Sequence, residues 1–266
     1  MALIQHKDHK VRYQQQLDNA LHYVLPFIAS SIPIKEGLHV LDIGCGEGGV
    51  LKPFLEKGCT GVGIELNLEK SLYAKEFLNN HIKENKATII NTNIYEEQAL
   101  EQYKESFDLI ILKDVIEHIP DQEQFIPYLK RFLKPRGHIY FGFPPWYMPH
   151  GGHQQICENK LLSLLPYYHL LPVPVYKLIL NLFGESAGNI QELLSIKSTG
   201  ISIERFEHIV KKSGYRIELN KHFLINPIYQ FKFGWKPRTQ LGWIRRIPFV
   251  RNFLTTCVYY IIRKEG

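Results

Sequence analysis

The sequence predicts an α/β fold: a doubly wound, mostly parallel sheet of seven strands, with a helical insertion after the fifth strand. Three observations support this prediction. Short apolar runs alternate with segments of helical periodicity from residue 13 to residue 143. The runs are apolar on both faces, as in a parallel sheet that is covered by helices on each side. A glycine-rich turn follows the first run, at Gly44, Gly46 and Gly48.

The predicted elements follow one another with short connections. Strands are expected at 39–43, 60–66, 87–92, 107–112 and 138–143, and helices at 13–28, 49–57, 68–84 and 121–133, with a polar helix ending at Tyr103. Pro26 leaves the last turn of the first helix uncertain. The alternation stops after Phe143 and resumes at Ser202 with a helix. Two strand-like runs, 216–219 and 222–225, then complete the seven strands.

Composition excludes several classes of protein. The four cysteines are scattered along the chain, which argues against a disulfide framework or a zinc knuckle and favours a reducing, cytoplasmic compartment. The N-terminal MALIQHKDHK is polar, unlike a secretory signal. No run reaches the ~18 uninterrupted apolar residues of a membrane-spanning helix.

The net charge of +6 is unevenly distributed. Residues 221–266 contain nine Lys or Arg and one acidic residue, so the rest of the chain is close to neutral. A nucleic-acid enzyme more often spreads basic charge over a face, and we therefore expect no nucleic-acid partner. The basic segment also contains Trp, Phe and Ile, which suits peripheral contact with an anionic membrane or packing against its own domain.

The glycine-rich stretch 40–49, VLDIGCGEGG, allows the backbone to turn tightly and to approach a ligand. Asp42 lies two positions before the first glycine. A carboxylate there repels a phosphate but can receive an ammonium group, which separates this loop from a dinucleotide site. Glu65, at the end of the second strand, can accept hydrogen bonds from both hydroxyls of a ribose.

These motifs resemble a known family. The stretches "VLDIGCGEGG", "GVGIEL" and "FDLIILKDVIEHIPD" are similar to successive motifs of the class I S-adenosylmethionine-dependent methyltransferases, nearest to the ubiquinone-biosynthesis O-methyltransferase branch. The resemblance covers residues 13–143 and 202–225. It implies a Rossmann-like methyltransferase fold, S-adenosyl-L-methionine as cofactor, and a hydrophobic small-molecule or lipid-like acceptor methylated at oxygen. Methylation at carbon, an RNA or protein methyltransferase, and a non-catalytic cofactor-binding scaffold are the alternatives.

The resemblance also assigns roles around the first two strands. Gly44, Cys45 and Gly46 would pack against the methionine part of the cofactor. Asp42 would hold its polar end, and Glu65 would bind its ribose.

Four further residues complete the cofactor site that the resemblance implies. Leu66 would cover the adenine, and the backbone of Lys113 would meet the methionine end. Asn93 and Ile94 fall where the family usually has Asp followed by an apolar residue. The Asn carbonyl oxygen can still accept from the adenine amino group.

Two groups of residues are candidates for catalysis, and the first follows the fourth strand. On a helical turn Asp114, Glu117 and His118 share one face. Some relatives in the ubiquinone branch bind a divalent cation with a similar set. In many methyltransferases without a metal, Glu-His at this place borders the cofactor pocket. We expect His118 to line the pocket with no bound metal, and the three-residue metal site is the alternative.

The second group is the stretch from Gly142 to Gln155, which follows the fifth strand. We expect it at the rim of the site, since ligands bind at the carboxyl ends of such strands. Trp146 and Tyr147 would form an apolar, substrate-binding wall. The Gly151-Gly152 pair would turn His150 or His153 inward, with His153 the better candidate base and His150 a substrate contact. A rigid loop with surface histidines is the alternative.

The chain is therefore divided into four parts. Residues 1–143 form the cofactor-binding core with an N-terminal cap helix, and 144–199 form a helical lid or substrate insertion. Residues 200–233 end the core sheet, and 234–266 are a basic, aromatic C-terminal tail. The Leu- and Pro-rich insertion could instead form a homodimer contact, or a helical pair packed on the core.

Overall fold

The computed structural model describes residues 8–265, and the N-terminal stretch on which the absence of a secretory signal was predicted lies largely outside them. The helices are α1 (His9–Asn19), α2 (Leu25–Ala29), α3 (Lys52–Glu56), α4 (Leu68–Phe77), α5 (Asn79–Lys83), α6 (Glu97–Leu100), α7 (Gln122–Tyr128), α8 (Lys160–Leu164), α9 (Val173–Leu182), α10 (Ala187–Thr199), α11 (Ile203–Lys212), α12 (Ile228–Phe233), α13 (Gly242–Arg245) and α14 (Val250–Phe253). None of these helices combines the length and the apolar character needed to cross a bilayer.

The strands form a single sheet. They are β1 (His39–Ile43), β2 (Thr60–Glu65), β3 (Ala87–Asn91), β4 (Phe107–Lys113), β5 (Leu133–Phe143), β6 (Tyr215–Ile225), β7 (Arg238–Thr239) and β8 (Cys257–Lys264). Their order in the sheet is β3-β2-β1-β4-β5-β8-β6-β7. Strands β1 to β5 are parallel, whereas β8 is antiparallel to both β5 and β6. The predicted doubly wound, mostly parallel sheet is confirmed, with β7 as a two-residue addition at one edge.

The last strands differ from the prediction. The runs 216–219 and 222–225 are one strand, β6, whose pairing with β8 shifts register between Ile217 and Leu219. The seventh long strand is β8, so the C-terminal segment is not a separate tail: its last residues fill the space between β5 and β6. The run from Cys257 to Ile262 is buried throughout, because its side chains alternate between the cores on the two faces of the sheet. Neighbouring strands pair with both of its edges.

The N-terminal cap helix is interrupted near the predicted proline. Asp8 caps α1 by accepting from the backbone N–H groups of Lys10 and Val11. The five residues from Ala20 to Val24 adopt π-helical geometry, and α2 then begins with Pro26 in its first turn. Proline has no N–H for the helical ladder, so a change of helical geometry just before it costs little.

Apolar side chains cover both faces of the sheet. One core contains Phe107, Phe125 and Phe206, and the other contains Phe54, Tyr140 and Tyr259. The predicted helical insertion after the fifth strand is present. It has a small core of its own, made of Cys157, Leu162, Tyr168, Tyr176, Leu180, Ile190 and Leu193.

Candidate functional site

The glycine loop lies between the carboxyl ends of β1 and β2. Gly44 and Gly46 have φ of +69° and +55°, a conformation that residues with a Cβ rarely adopt. The backbone N–H groups of Gly44 and Cys45 donate to the carbonyl of Ile64, at 2.8 and 3.0 Å. A Cβ on Gly44 would lie 2.6 Å from Cγ2 of Val115. The loop therefore has no room for a side chain at Gly44.

Glu65 holds the loop from the end of β2. Its Oε2 accepts from the N–H of Gly46 at 2.9 Å, and its Oε1 accepts from the N–H of Asn67 at 2.8 Å. The side-chain amide of Asn91 donates to the carbonyls of Glu65 and Leu66. Asn91 was not predicted as a site residue. Its position at the carboxyl end of β3 is the feature of the sequence that indicates it. Leu66 itself is 70% exposed beside this turn.

Asp42 carries a buried carboxylate without a complete set of partners. The residue is 1% exposed, and its Oδ2 has no hydrogen-bond partner within residues 8–265. Burial, and then the nearby charge of Glu65, raise the pKa of Asp42 well above its usual value. A buried carboxylate oxygen is costly unless a donor meets it. The positively charged amino group of a ligand would satisfy it, so Asp42 and the loop fit the polar end of S-adenosylmethionine.

Helix α1 closes over the loop through Glu47, an interaction that the sequence did not reveal. Glu47 is fully buried, and its Oε1 is 2.9 Å from both Nδ1 of His9 and Nε of Arg12. Its Oε2 accepts from the side-chain amide of Gln16 at 3.0 Å. His9, Arg12 and Gln16 are three and four residues apart and therefore share one face of α1, and this spacing was the available signal.

The remaining cofactor candidates lie at the ends of β3 and β4. Ile94 is buried, whereas Asn93 is exposed and its Oδ1 accepts from the N–H of Tyr95 at 3.0 Å. Lys113 is the last residue of β4, and its ammonium group pairs with the carboxylate of Asp114. Asp114 has φ of +57°, which is strained for a residue with a Cβ.

Glu117, His118 and His153 form a compact group. Each of the three offers a nitrogen or carboxylate oxygen, and these atoms lie within 4.8 Å of one another. Glu117 is buried, and neither of its carboxylate oxygens has a hydrogen-bond partner in the described part of the chain. Asp114 is not a member of the group. The group differs from the alternative metal set of Asp114, Glu117 and His118, because His153 of the insertion takes part in it and Asp114 does not.

The Gly-Gly turn explains how His153 reaches this position. A Cβ on Gly151 would lie 2.1 Å from the carbonyl oxygen of Trp146, so the chain folds back tightly there. His153 follows with φ of +56°, and its ring centroid is 4.9 Å from that of His118. Burial, and then the charge of His118, lower the pKa of His153 to about 4. Burial also lowers the pKa of His118, so both imidazoles are neutral at pH 7.

The other residues predicted in this stretch have different neighbours. The Trp146 ring packs on Gly200 and lies 4.7 Å from the ring of His169, within the insertion. The Tyr147 ring is 5.5 Å from Phe253 in the C-terminal segment. His150 Nε2 is 3.3 Å from the carbonyl of Leu164. Of the predicted stretch, His153 is the residue that the structure groups with His118.

A cleft of about 460 Å³ lies between His118 and helix α10. Its lining is largely polar and comprises His118, Gly188, Gln191, Glu192, Ser195, Ile196 and Thr199. A volume of this size suits a small molecule or the head group of a larger one. The insertion thus forms one wall of a site that has a histidine on its other wall.

A family profile described as "Methyltransferase domain" matches residues 9–165, more than half of the chain. Two relatives described as ubiquinone biosynthesis O-methyltransferases are each 32% identical to it. The one from Coxiella burnetii aligns over 126 residues, 46% of this chain and 51% of the relative. The one from Rhodopseudomonas palustris aligns over 109 residues, 41% of each. The chain thus matches about half, or less, of the length of these relatives.

Solved structures share the fold at low sequence identity. Magnesium protoporphyrin IX methyltransferase from Synechocystis, with bound SAH, has a TM-score of 0.53 at 16% identity, covering 95% of this chain and 84% of that one. Phosphoethanolamine N-methyltransferase 2 from Haemonchus contortus, in complex with S-adenosylmethionine, has a TM-score of 0.54 at 17% identity, covering 91% and 52%.

Proposed function

Because the chain belongs to the methyltransferase family and is an S-adenosylmethionine-dependent enzyme, we propose that it methylates an oxygen of a small molecule with a hydrophobic body. S-adenosylmethionine supplies an electrophilic methyl group. The observation that carries the proposal is the contact between the rings of His118 and His153, together with the position of His118 in the wall of the polar cleft. A neutral imidazole can accept the proton that an acceptor hydroxyl loses.

The cofactor residues have separate roles in this proposal. Asp42 holds the amino group of the methionine part, and Gly44, Cys45 and Gly46 give backbone contact. Glu65 accepts from the ribose hydroxyls while it continues to hold Gly46, since each carboxylate oxygen has two acceptor positions. Leu66, Asn93 and Ile94 surround the adenine, and the backbone of Lys113 borders the methionine end.

Transfer of labelled methyl groups tests this function. Purified protein would be incubated with methyl-labelled cofactor and a lipid extract, with the Glu65→Ala variant as a matched control. We expect label in a lipid or phenolic fraction with the parent protein and a large loss with the variant. No labelled product in any lipid or phenolic fraction would contradict the proposal.

A divalent cation is a second candidate role for the histidine group. A carboxylate and two imidazoles suit metals such as zinc or manganese, and the unpartnered oxygens of Glu117 are available as ligands. Metal content after purification, before and after dialysis against EDTA, separates the two roles. Stoichiometric metal that is lost in Glu117→Gln supports the cation. If the metal-free protein retains full turnover, the cation is not required, and the histidines act as proton acceptors.

A membrane surface would bring the enzyme to a lipid-like acceptor. Large apolar side chains are exposed on the insertion and on the C-terminal segment: Leu161, Leu164, Leu165, Leu241, Trp243, Ile247 and Phe249. The two segments touch, since the hydroxyl of Tyr167 donates to the carbonyl of Phe253 at 3.1 Å. Arg245 and Arg246 are exposed among these residues. Trp beside basic residues favours an anionic membrane–water boundary.

Co-sedimentation with vesicles tests the membrane contact. We expect binding to anionic vesicles at low salt, with less at high salt and with neutral vesicles. Trp243→Ser should weaken it, whereas Leu72→Ser, at an exposed position on α4, should not. If the protein stays in the supernatant and light scattering gives the mass of a dimer, we would conclude that the apolar surface binds a second copy of the chain.

A further inference from the structure

One side of helix α10 lies across the cleft from His118. The residues of α10 that line the cleft recur at intervals of three and four, so they share one side of the helix. Apart from the apolar Ile196, they are here called the polar face of α10: Gly188, Gln191, Glu192, Ser195 and Thr199. The volume of about 460 Å³ joins this face of the insertion to the turn that follows β4.

The C-terminal end of α10 is fixed beside the turn that holds His118. The hydroxyl of Thr199 donates to the carbonyl of Glu117 at 2.6 Å. An α-helix rises about 1.5 Å per residue, so Ser195 lies roughly 6 Å and Glu192 roughly 10 Å from Thr199 along the axis. A ligand that begins beside His118 therefore meets the groups of the polar face at fixed distances.

Most polar groups of this face are available to a ligand. The side chains of Gln191, Glu192 and Ser195 are exposed, and in the part of the chain that the structure describes they form no hydrogen bond or ion pair with another residue. Thr199 donates its hydroxyl hydrogen to Glu117, but its oxygen can still accept. The cleft thus offers a row of hydrogen-bonding groups to a molecule that enters it.

Gly188 keeps the outer part of the cleft open. It lies in the first turn of α10, with no left-handed backbone conformation that would call for glycine, and glycine is less favourable than alanine in a helix. A Cβ at this position would meet no protein atom within 4 Å. Neither packing nor backbone geometry in the described structure therefore requires glycine here. A longer side chain would project into the cleft, so the glycine leaves that space to a ligand.

The chemistry of the lining favours hydroxyl groups over charged ones. Glu192 is the one acidic residue among the described residues that line the cleft, and none of them is Lys or Arg. Its carboxylate accepts hydrogen bonds and repels an anionic group such as a phosphate. An ammonium group would suit Glu192, but Gln191 and Ser195 each donate as well as accept. Neighbouring hydroxyls, which also do both, match all three side chains.

We propose that the polar face of α10 binds a polyhydroxy head group, a sugar or another polyol, on the methyl acceptor. Glu192 accepts from its hydroxyls and discriminates against anionic head groups. The hydroxyl that is methylated lies at the His118 end of the cleft. This inference rests on the proposed function, because it assigns the cleft to the acceptor.

Three probes with a common phenyl group distinguish the possible head groups. Phenyl β-glucoside carries hydroxyls, benzylamine an ammonium group and phenyl phosphate an anion. Titration followed by saturation-transfer NMR would measure their binding to the protein loaded with S-adenosylhomocysteine. No methyl group is transferred in this assay, so it can fail while labelled methyl transfer succeeds, and the reverse also holds.

Two variants and two controls locate the bound probe. Gly188→Leu fills the cleft, and Glu192→Ala removes the carboxylate. Ala187→Leu and Glu76→Ala make the matched changes at exposed positions that do not line the cleft. Circular dichroism checks that each variant is folded.

We expect phenyl β-glucoside to bind more tightly than the other two probes, with saturation transfer to its sugar protons. Gly188→Leu and Glu192→Ala should weaken this binding at least about fivefold, because each removes space or hydrogen bonds of the head group. Ala187→Leu and Glu76→Ala should bind it as the parent does. Tighter binding of benzylamine or phenyl phosphate would overturn the polyol assignment. No binding of any probe, or equal binding by all variants, would show that the cleft does not hold the head group.

Discussion

The carboxylate of Glu65 accepts a hydrogen bond from the backbone N–H of Gly46, at 2.9 Å, across the gap between the ends of β2 and β1. One side chain thus fixes the glycine loop, and we propose that it also receives the ribose of the cofactor. The hydrogen bond joins two motifs that are 19 residues apart in the chain.

We expect Glu65→Ala to weaken binding of S-adenosylmethionine at least about tenfold while the protein stays folded. Hydrogen bonds to a charged group contribute ~1.5–3 kcal/mol, and the substitution also frees the loop. Calorimetric titration measures the affinity. Glu65→Gln keeps one acceptor oxygen and should lose less. Affinity equal to that of the parent in Glu65→Ala would remove Glu65 from the cofactor site.

We expect His153→Ala to lower turnover more than it lowers cofactor affinity. The ring of His153 contacts that of His118, and its lowered pKa keeps it in the neutral form that a general base needs. General-base catalysis typically contributes 10²–10⁴-fold, and a fall in turnover of about that size is expected. His150→Ala, which removes the contact with the Leu164 carbonyl, is the matched control. Unchanged activity of His153→Ala would exclude it as a base.

The protein should lose stability as the pH falls from about 6.5 to about 4. Burial lowers the pKa of both His169 and His222 to about 4. Between these pH values the unfolded chain binds protons that the native protein does not, so unfolding is favoured as pH falls. Above pH 6.5 both states are neutral and the contribution is complete. Linkage gives at most about 3 kcal/mol for each histidine.

Urea unfolding at several pH values measures this effect. Nε2 of His169 is 2.9 Å from the carbonyl of Trp146, and its Nδ1 faces the side-chain amide of Gln154, so a second proton would oppose an existing donor. His169→Gln should flatten the dependence on pH, whereas the exposed His208→Gln should not. An unchanged slope in His169→Gln would assign the acid sensitivity to other groups.

Replacement of Arg251 should destabilise the protein by about 2–4 kcal/mol, because it leaves two partly buried carboxylates without their partner. Arg251 pairs with Glu204 at 2.8 Å and Glu207 at 2.6 Å, and these contacts fasten α14 to α11 directly before β8. Thermal or urea unfolding of Arg251→Met measures the loss. Arg245→Met, at an exposed position, should have little effect. Equal stabilities of Arg251→Met and the parent protein would show that the two ion pairs of Arg251 do not contribute to stability.

The sequence by itself determined the parallel core and the cofactor end of the site. Alternating apolar runs and helical segments fix β1 to β5, because burial on both faces requires this pattern. Asp42 and Glu65 lie near the carboxyl ends of β1 and β2, and the glycine loop follows β1 directly. The ends of adjacent parallel strands meet at one edge. Local residues are therefore enough to predict that they lie together.

The tertiary structure decided what depends on contacts between distant segments. The run from Cys257 to Ile262 is apolar, and its basic, aromatic neighbours favoured a tail, whereas pairing with β5 and β6 makes it a central strand. Glu117, His118 and His153 meet because the Gly-Gly turn folds back on Trp146. The polar face of α10 lies across the cleft from His118 because Thr199 is fixed to the carbonyl of Glu117. Strand register and loop path are set by packing across the whole chain, and no short stretch of sequence contains them.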